Sequence, residues 1–336
     1  MSEILIAPVQ VTQISAEERD YDLLRESCGL LDSLPISILS LSGEDRKGWL
    51  QGQATNDTRR FDLGASGAFC LCEPTGQILS VVDLWSVRDK FLLTIPTETT
   101  SAVRGRIEQM VITEDVTVED LTSEWKLLSF QGPRATATLA AMMPLPSLDA
   151  GPSRLGDTEI FCLRSDRTGM GGWDLWVPST EKKAIKKLSA VAPKVSWNAY
   201  NTARLEAGIP AFGADITTKT LPPEMGPAFV ARHVSYKKGC YTGQEVLMRI
   251  YSRGHTNKTW MGLLCEEPVL AGQSVLSSGQ REVGTVTSST ISPDYGPIAA
   301  AMLRNEAARP GEIVNVLTPN GPVEAEVRPM PLLRLD

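Results

Sequence analysis

The sequence predicts an α+β fold that ends in a small antiparallel β-barrel, and two observations lead to this prediction. Up to about residue 258, β-rich runs alternate with runs of helical periodicity, and no internal repeat stands out. Beyond that point, short β-rich runs follow one another, divided by turns that contain Gly, Pro or Asn. These runs are residues 259–264, 274–276, 282–288, 298–303, 312–317 and 323–328. We therefore predict an α+β portion in residues 1–258 and a β-barrel in residues 259–336.

The N-terminal third predicts a helix, a small sheet and a second helix. Ser15 and Glu18 have the spacing of a capping box, which predicts a helix that runs to about Cys28 and stops at Gly29. Residues 36–42 predict a strand, and a short helix follows it. Residues 68–72 and 78–87 predict a hairpin around the turn at residues 74–77, with a third strand at residues 91–95. Apolar residues at helical spacing then predict a helix over residues 97–111.

The middle of the chain continues the alternation. Residues 116–121 and 127–130 are β-rich, and Pro133 suits the first turn of a short helix that runs to residue 143. Residues 144–157 are rich in Pro, Gly, Ser and Asp, which indicates a connection or a mobile insertion. Strands are expected at residues 159–164 and 173–177, and a helix at residues 179–191. Ser196 is a suitable cap for a further helix that ends at Gly208.

Composition and charge exclude several classes of protein. The chain has 336 residues, 42% of them hydrophobic and 22% charged, with a formal net charge of -7. A net negative charge argues against direct nucleic-acid binding. The four lysines at positions 182, 183, 186 and 187 predict a solvated helix face, and binding of anionic ligand tails or RNA is the alternative. Six cysteines without a CxxC pair fit neither a disulfide framework nor a metal site. The start lacks a secretory signal and no apolar run is long enough to span a membrane, so we expect a cytoplasmic protein.

The most informative stretch is Lys-Lys-Gly-Cys-Tyr-Thr-Gly-Gln-Glu at residues 237–245. The spacing of Thr242 and Glu245 predicts a capping box that opens a helix. Cys240 would then lie just outside a helix N-terminus, where the helix dipole and Lys238 favour a thiolate, the nucleophilic form of cysteine. We therefore predict Cys240 as the chemically active group, supported by Lys238. The alternative is that Cys240 is a small apolar filler and that the lysines are solvated.

Two further charged residues and a cysteine pair are candidates with structural alternatives. Asp174 follows a glycine-rich turn and could bind a ligand, or it could face solvent on an ordinary hairpin. Arg204 could hold a carboxylate of a ligand, or it could tie its helix to a neighbouring domain. Arg204 and Glu206 point to different sides of a helix and should not pair. Cys70 and Cys72 share one face of a strand, and core packing is the better interpretation because further metal ligands are lacking.

Four stretches resemble the YgfZ-type folate-binding proteins and their relatives, the glycine-cleavage T-proteins. Residues 238–245 resemble the YgfZ-type motif, while residues 42–57, 168–175 and 203–208 resemble T-protein patterns. The resemblance implies interleaved α+β subdomains followed by a β-barrel, all arranged in a ring around a cleft for tetrahydrofolate or a derivative. The implied folate contacts are Asn56, Asp174, Arg204, Gln244 and Glu245, of which Gln244 and Glu245 would shape the turn beside Cys240.

Two positions depart from the T-protein patterns. Met170 stands where the pattern has a glutamate, and Ser80 stands where the "G-G-x-x-D-D" hairpin has its first aspartate, with Asp83 displaced along the strand. In T-proteins that aspartate acts near the reactive nitrogens of the folate. Since a hydroxyl cannot replace a carboxylate as a proton acceptor near neutral pH, the resemblance implies the folate pocket more strongly than aminomethyl transfer.

Three functions are consistent with these features. The resemblance to YgfZ-type proteins implies a tetrahydrofolate-binding accessory factor for assembly or repair of iron–sulfur clusters, and so for cluster-dependent tRNA modification. Its partners would be iron–sulfur assembly proteins or cluster-containing clients. The alternative is a folate-dependent aminomethyl or methyl transferase of the T-protein type. A second alternative is a non-enzymatic interaction module with a vestigial folate pocket.

Overall fold

Between residues 11 and 332, the part that the structure describes, the chain folds into two five-stranded sheets and a closed barrel. A computed structural model describes the backbone of residues 11–332 and the side chains of residues 18–252 and 254–332. All strand pairings within the three sheets are antiparallel. The predicted α+β class with a C-terminal antiparallel barrel is confirmed.

The helices and strands of the described part have the following bounds. The α-helices are α1 (Val11–Glu26), α2 (Arg46–Gln53), α3 (Thr100–Met110), α4 (Ala135–Ala140), α5 (Lys182–Ser189), α6 (Trp197–Glu206), α7 (Pro227–His233) and α8 (Gln244–Arg253). The strands before the barrel are β1 (Gly29–Leu31), β2 (Ile36–Ser42), β3 (Ser66–Cys72), β4 (Ile78–Val87), β5 (Lys90–Pro96), β6 (Thr117–Asp120), β7 (Trp125–Gln131), β8 (Ala150–Leu155), β9 (Thr158–Arg164) and β10 (Gly172–Pro178). The barrel strands are β11 (Lys258–Cys265), β12 (Ser274–Leu276), β13 (Glu282–Ser292), β14 (Gly296–Arg304), β15 (Ile313–Thr318) and β16 (Gly321–Arg328).

The two sheets exchange strands along the chain. The first sheet has the order β3-β4-β5-β2-β6, and the second has the order β1-β7-β10-β9-β8. Strand β1 comes before the whole first sheet in sequence, yet it pairs with β7 of the second sheet. The two sheets are therefore interleaved, as the resemblance implied.

Alternation along the strands divides the core into layers. On β4, Val82 and Leu84 face the core that α2 and α3 cover, whereas Trp85 faces the second sheet. On β10, Trp173 and Leu175 face the core under α4 and α5, whereas Trp176 faces the first sheet. The two tryptophans that face inward belong to one buried cluster, so the sheets pack face to face.

The barrel closes in the order β11-β14-β13-β12-β15-β16. Its interior is filled by valines and small residues, among them Val275, Val314, Ala299 and Ala301. Outside the barrel, Trp260 and Ile298 pack on Leu205 and Leu247 in a cluster that also holds residues of β3 and β4. This apolar cluster joins the barrel to the first sheet through α6, α7 and α8. No helix of the described residues is long and apolar enough to span a membrane.

Local predictions fail where tertiary contacts compete with the sequence pattern. The first helix ends at Glu26 rather than Cys28, since Gly29 already pairs in β1. Residues 144–157, predicted as a connection, contain β8, which pairs along its length with β9. The Ser196 cap is confirmed, because the Ser196 hydroxyl accepts a hydrogen bond from the Ala199 amide. The lysines of α5 are exposed.

Candidate functional site

Asp174 lies fully buried on the side of β10 that faces the first sheet. The Arg167 side chain holds its carboxylate: Nε lies 3.2 Å from both oxygens, and Nη2 lies 2.5 Å from Oδ2. Burial opposes the charge on Arg167, but Asp174 outweighs it and holds the pKa of Arg167 above its ordinary value. The interpretation of Asp174 as a solvent-facing hairpin residue is therefore wrong.

The glycine-rich turn before β10 is held by side chains on both sides. Asp166 Oδ1 accepts from the Thr168 and Gly169 amides at 3.1 and 2.7 Å, and Gln131 Oε1 accepts from the Arg167 amide at 2.9 Å. Gly169 has a φ of 83°, a backbone conformation that residues other than glycine rarely adopt. The turn thus fixes the base of the Arg167 side chain directly beside Asp174.

A second carboxylate, Asp83 on β4, faces the same interior. Asp83 pairs with Arg232 of α7 at 2.8 Å, and its side chain is 24% exposed. Burial raises the pKa of the carboxyl, but the positive charges of Arg232 and Arg167 outweigh it, so the pKa of Asp83 is lowered. Asp83 and Asp174 each lie two residues along a strand from a tryptophan of the cluster between the sheets. They therefore lie at the edge of that cluster.

The orientation of β4 changes the meaning of the serine at position 80. The Ser80 side chain is fully buried, and its hydroxyl lies 2.8 Å from the Thr99 hydroxyl. It points to the same side as Val82 and Leu84, away from Asp83. The position that shares a face with Asp83 is Val81. The displaced carboxylate of Asp83 therefore lies on the face of β4 opposite to Ser80, one position further along that face than Val81.

Tyr200 on α6 completes a polar cluster, which we define as Asp83, Arg167, Asp174, Tyr200 and Arg232. The ring of Tyr200 is 9% exposed, and its burial raises the pKa of its hydroxyl. It lies within electrostatic range of Arg167, Asp174 and Asp83. Four parts of the chain, β4, β10 with its preceding turn, α6 and α7, therefore deliver two carboxylates, two guanidinium groups and a phenol to one place.

Arg204, predicted as a ligand contact or a structural tie, makes only internal contacts among those described. Its guanidinium donates to Asp215 Oδ2 at 2.8 Å, to the Ile209 carbonyl at 3.1 Å and to the Ser288 hydroxyl of the barrel at 3.0 Å. Glu206 points to the opposite side and pairs with Arg25 of α1. These contacts agree with the tie to a neighbouring domain and with the prediction that Arg204 and Glu206 do not pair.

Asn56 joins the first sheet to α7 beside the polar cluster. Its amide donates to the Ala68 and Arg232 carbonyls, both at 2.9 Å. It lines a cavity of about 460 Å³ together with Arg60 and Lys237 and with two stacked rings, those of Tyr236 and Tyr251. The cavity therefore borders both the residue beside Arg232 and the loop that carries Cys240.

Cys240 is exposed, and the other five cysteines are buried. Burial raises the pKa of Cys72 to about 12, so that thiol stays protonated, as expected of a core residue. Among the described residues no cluster of His, Cys, Asp and Glu has a metal-binding arrangement. Cys240 is therefore the cysteine whose sulfur is open to reaction with another molecule.

Lys238, two residues from Cys240, has its donors committed elsewhere. Its ammonium lies 2.6, 2.5 and 3.0 Å from the carbonyl oxygens of Gln51, Ala54 and Asn56, which matches its three N–H groups. Burial lowers the pKa of Lys238 to about 8, which leaves it largely charged near neutral pH. Lys238 anchors the cysteine loop to the end of α2, so any effect on the sulfur is through space.

The predicted capping box at Thr242 and Glu245 is wrong. Helix α8 begins at Gln244 after Gly243, which is left-handed with a φ of 85°. The Thr242 hydroxyl lies 3.4 Å from Gln53 Oε1, and Glu245 pairs with Arg249 at 2.7 Å. Gly243 takes the N-cap position, so the chain enters α8 without a side-chain cap. Gln244 is half-buried and Glu245 is exposed at this helix start.

Arg167, Tyr200 and Arg232 were missed as site residues, and Asp83 was noted only as a displaced carboxylate. The signal that could have found Asp83 is a charged residue in the otherwise apolar run of β4, between Val82 and Leu84. Arg167 precedes the glycine-rich turn and offers a second signal. Tyr200 and Arg232 lie on helices, and nothing local in the sequence places them beside the strands.

Comparisons with known proteins match nearly the whole chain. Residues 8–235 match the family model described as GCVT N-terminal domain, and residues 258–333 match the Glycine cleavage T-protein C-terminal barrel domain. A protein named Aminomethyltransferase from Rubrobacter xylanophilus is 29% identical over 97% of this chain and 88% of its own length. One of the same name from Listeria monocytogenes is 27% identical over 97% of this chain and 91% of its own.

A solved structure has the same fold. The crystal structure of glycine cleavage system aminomethyltransferase T from Bartonella henselae superimposes with a TM-score of 0.85 and covers 94% of this chain and 89% of that chain. The two sequences are 22% identical, so the likeness concerns the fold alone.

Proposed function

This chain belongs to the glycine cleavage T-protein family, and from that premise we propose that it binds a reduced folate at the polar cluster. The single observation that carries the proposal is the fully buried carboxylate of Asp174, which accepts two N–H groups of one planar partner. The 2-amino-4-oxo edge of a pterin presents two such donors side by side. Tetrahydrofolate is the cofactor consistent with the family.

The residues of the polar cluster suit both the recognition of a pterin ring and chemistry beside it. Asp174 would accept from the pterin edge, and the buried ring of Tyr200 would border it. Asp83, kept ionised by Arg232, would accept a proton or stabilise a positive charge nearby. When bound, a tetrahydrofolate supplies the nitrogens that carry a one-carbon unit. We expect the protein to act in the cytoplasm.

The first candidate use of the folate is aminomethyl or methyl transfer. It is favoured by the relatives, whose names say Aminomethyltransferase, and by Asp83, a carboxylate of the kind that this chemistry needs. With this function, the Asn56 side-chain amide would hold Arg232 in place by donating to the Arg232 backbone carbonyl. Asn56 would thereby position the ion-pair partner of Asp83. The residue would then act on the site indirectly rather than by touching folate.

The second candidate is the accessory role in iron–sulfur cluster assembly or repair. A specific observation favours it: Cys240 is exposed, within a loop that Lys238 anchors firmly. An exposed thiol on a fixed loop is available to partner proteins or cluster-containing clients. Transfer of a one-carbon unit to tetrahydrofolate does not require such a thiol. Gln244 and Glu245 would shape the start of α8 behind this loop.

Calorimetric titration with 5-formyl-tetrahydrofolate tests folate binding. We expect heat with the unaltered chain, loss of that heat in Asp174→Asn, and unchanged binding in Cys240→Ala, because Cys240 is exposed and outside the polar cluster. Asp174→Asn keeps the size of the side chain but turns one acceptor oxygen into a donor. No heat with the unaltered chain would reject folate binding and leave an interaction module with a vestigial pocket.

Two activity measurements then separate the candidate uses. Turnover of an aminomethyl-lipoyl substrate with tetrahydrofolate, lost in Asp83→Asn and kept in Cys240→Ala, would establish the transferase. Failure of cluster-dependent enzymes in a strain that carries Cys240→Ala, with folate binding intact, would establish the accessory role. Full activity of those enzymes in the same strain would reject it.

A further inference from the structure

Arg167 already binds Asp174, the carboxylate that would bind the pterin in the proposed folate site. Asp174 is fully buried, and both of its oxygens already accept N–H groups from Arg167. The Arg167 side chain is 12% exposed, and no other hydrogen-bonding partner of its guanidinium is present among the described residues. A ligand that presents two parallel N–H donors to Asp174, as Arg167 does, therefore competes with Arg167 for the same edge of the carboxylate.

The two binding groups are chemically alike. A guanidinium is a planar carbon bonded to three nitrogens, and it offers a carboxylate two parallel N–H donors. The 2-amino group and N3–H of a pterin belong to the same arrangement of atoms, closed into a ring. We propose that Arg167 is an internal competitor of the pterin, which keeps Asp174 paired in the empty protein and yields it to the ligand. This inference rests on the proposed folate site.

The surroundings offer Arg167 a place to go. Asp83 already interacts electrostatically with Arg167, and its carboxylate has acceptor positions beyond its single bond to Arg232. The other charged or titratable groups in range are Arg232 and His233 of α7, which lie near Asp83, and Tyr200 and Arg204 of α6. A swing from Asp174 to Asp83 would keep the guanidinium inside the polar cluster, so exchange needs no transfer of the charge to solvent.

Removing the competitor should tighten binding. In Arg167→Met, we expect 5-formyl-tetrahydrofolate to bind about tenfold more tightly at about pH 8 than to the unaltered chain, since a charge-assisted pair no longer has to be broken. Arg167→Lys keeps the charge but loses the planar fork, and should give a smaller gain. Arg164→Met is the matched control: Arg164 pairs with exposed Asp149 rather than Asp174, and its loss should leave affinity unchanged.

Proton linkage provides a readout that a purely structural role would not move. Without Arg167, buried Asp174 has no counter-ion and takes up a proton, which it must release when the pterin binds. The affinity of Arg167→Met should therefore increase with pH more than that of the unaltered chain does, while the affinity of Arg164→Met follows the unaltered chain.

The outcomes separate the two proposals. No binding by the unaltered chain overturns the folate site, and this inference with it. If the unaltered chain binds but the two Arg167 variants bind equally or more weakly, Arg167 is a ligand contact or a structural residue, and only the inference is overturned. Arg167→Lys, the milder change, decides the question if Arg167→Met does not fold.

Discussion

At the scale of single residues, the site depends on which atoms each charged group meets. Lys238 illustrates this best, because a lysine beside a cysteine reads as an activator of the thiol, whereas its three N–H groups meet three backbone carbonyls. Its ammonium also lies 4.9 Å from the ring centre of Tyr241. Lys238 thus acts first on the position of the loop, and any influence on Cys240 follows from that position.

Lys238→Met should lower the free energy of unfolding by about 3 kcal/mol, because three buried carbonyls lose their charged donor. Lys237→Met removes the neighbouring, exposed lysine and should change stability by less than about 0.5 kcal/mol. Urea denaturation of both variants measures the difference. Equal stabilities would mean that the carbonyl contacts of Lys238 contribute nothing net.

At the scale of elements, α8 and the cysteine loop depend on one glycine. A Cβ on Gly243 would lie 2.7 Å from the Glu73 carbonyl oxygen and 3.2 Å from both Cys72 Cβ and Gly76 Cα. Since the φ of Gly243 is also positive, the β3–β4 turn and the start of α8 can touch only through a glycine. Because Gly243 occupies the N-cap position in this contact, Thr242 lies one residue too early to cap α8.

Gly243→Ala should therefore destabilise the chain by about 3 kcal/mol, from strain and from the clash together. Gly254 at the other end of α8 has a similar φ of 90°, but a Cβ there would meet nothing within 4 Å. Gly254→Ala should cost only about 1 kcal/mol. Thermal unfolding of the pair tests the argument, and a cost for Gly254→Ala as large as that for Gly243→Ala would contradict it.

At the scale of the whole molecule, buried ion pairs join parts that the chain order separates. Asp215 accepts from Arg204 at 2.8 Å, from the Ala211 amide at 2.9 Å and from the Thr287 hydroxyl of the barrel at 2.6 Å. On the far side of α6, Arg25 pairs with Glu206. The helix that carries Tyr200 is thereby held between α1 and the barrel, and this fixes one wall of the polar cluster.

Asp215→Asn should destabilise the chain by about 3 kcal/mol, because Arg204 would be left buried without its counter-ion. Asp62→Asn, which breaks the exposed pair with Lys47, is the control and should cost less than about 1 kcal/mol. Denaturant midpoints measure both. If the two variants match, the Arg204–Asp215 pair does not hold α6 to the barrel.

The sequence by itself determined the α+β class, the barrel and most of the helices and strands. These follow from the period of apolar residues and from turn residues, which act over a few positions. It also pointed to Cys240 and to the glycine-rich turn before Asp174 as candidates. It could not determine that Arg167 holds Asp174, that Ser80 turns away from Asp83, or that Lys238 reaches the end of α2. The first depends on the shape of a turn, the second on pleat direction, and the third on a contact between residues more than 180 positions apart, so only the tertiary structure could decide them.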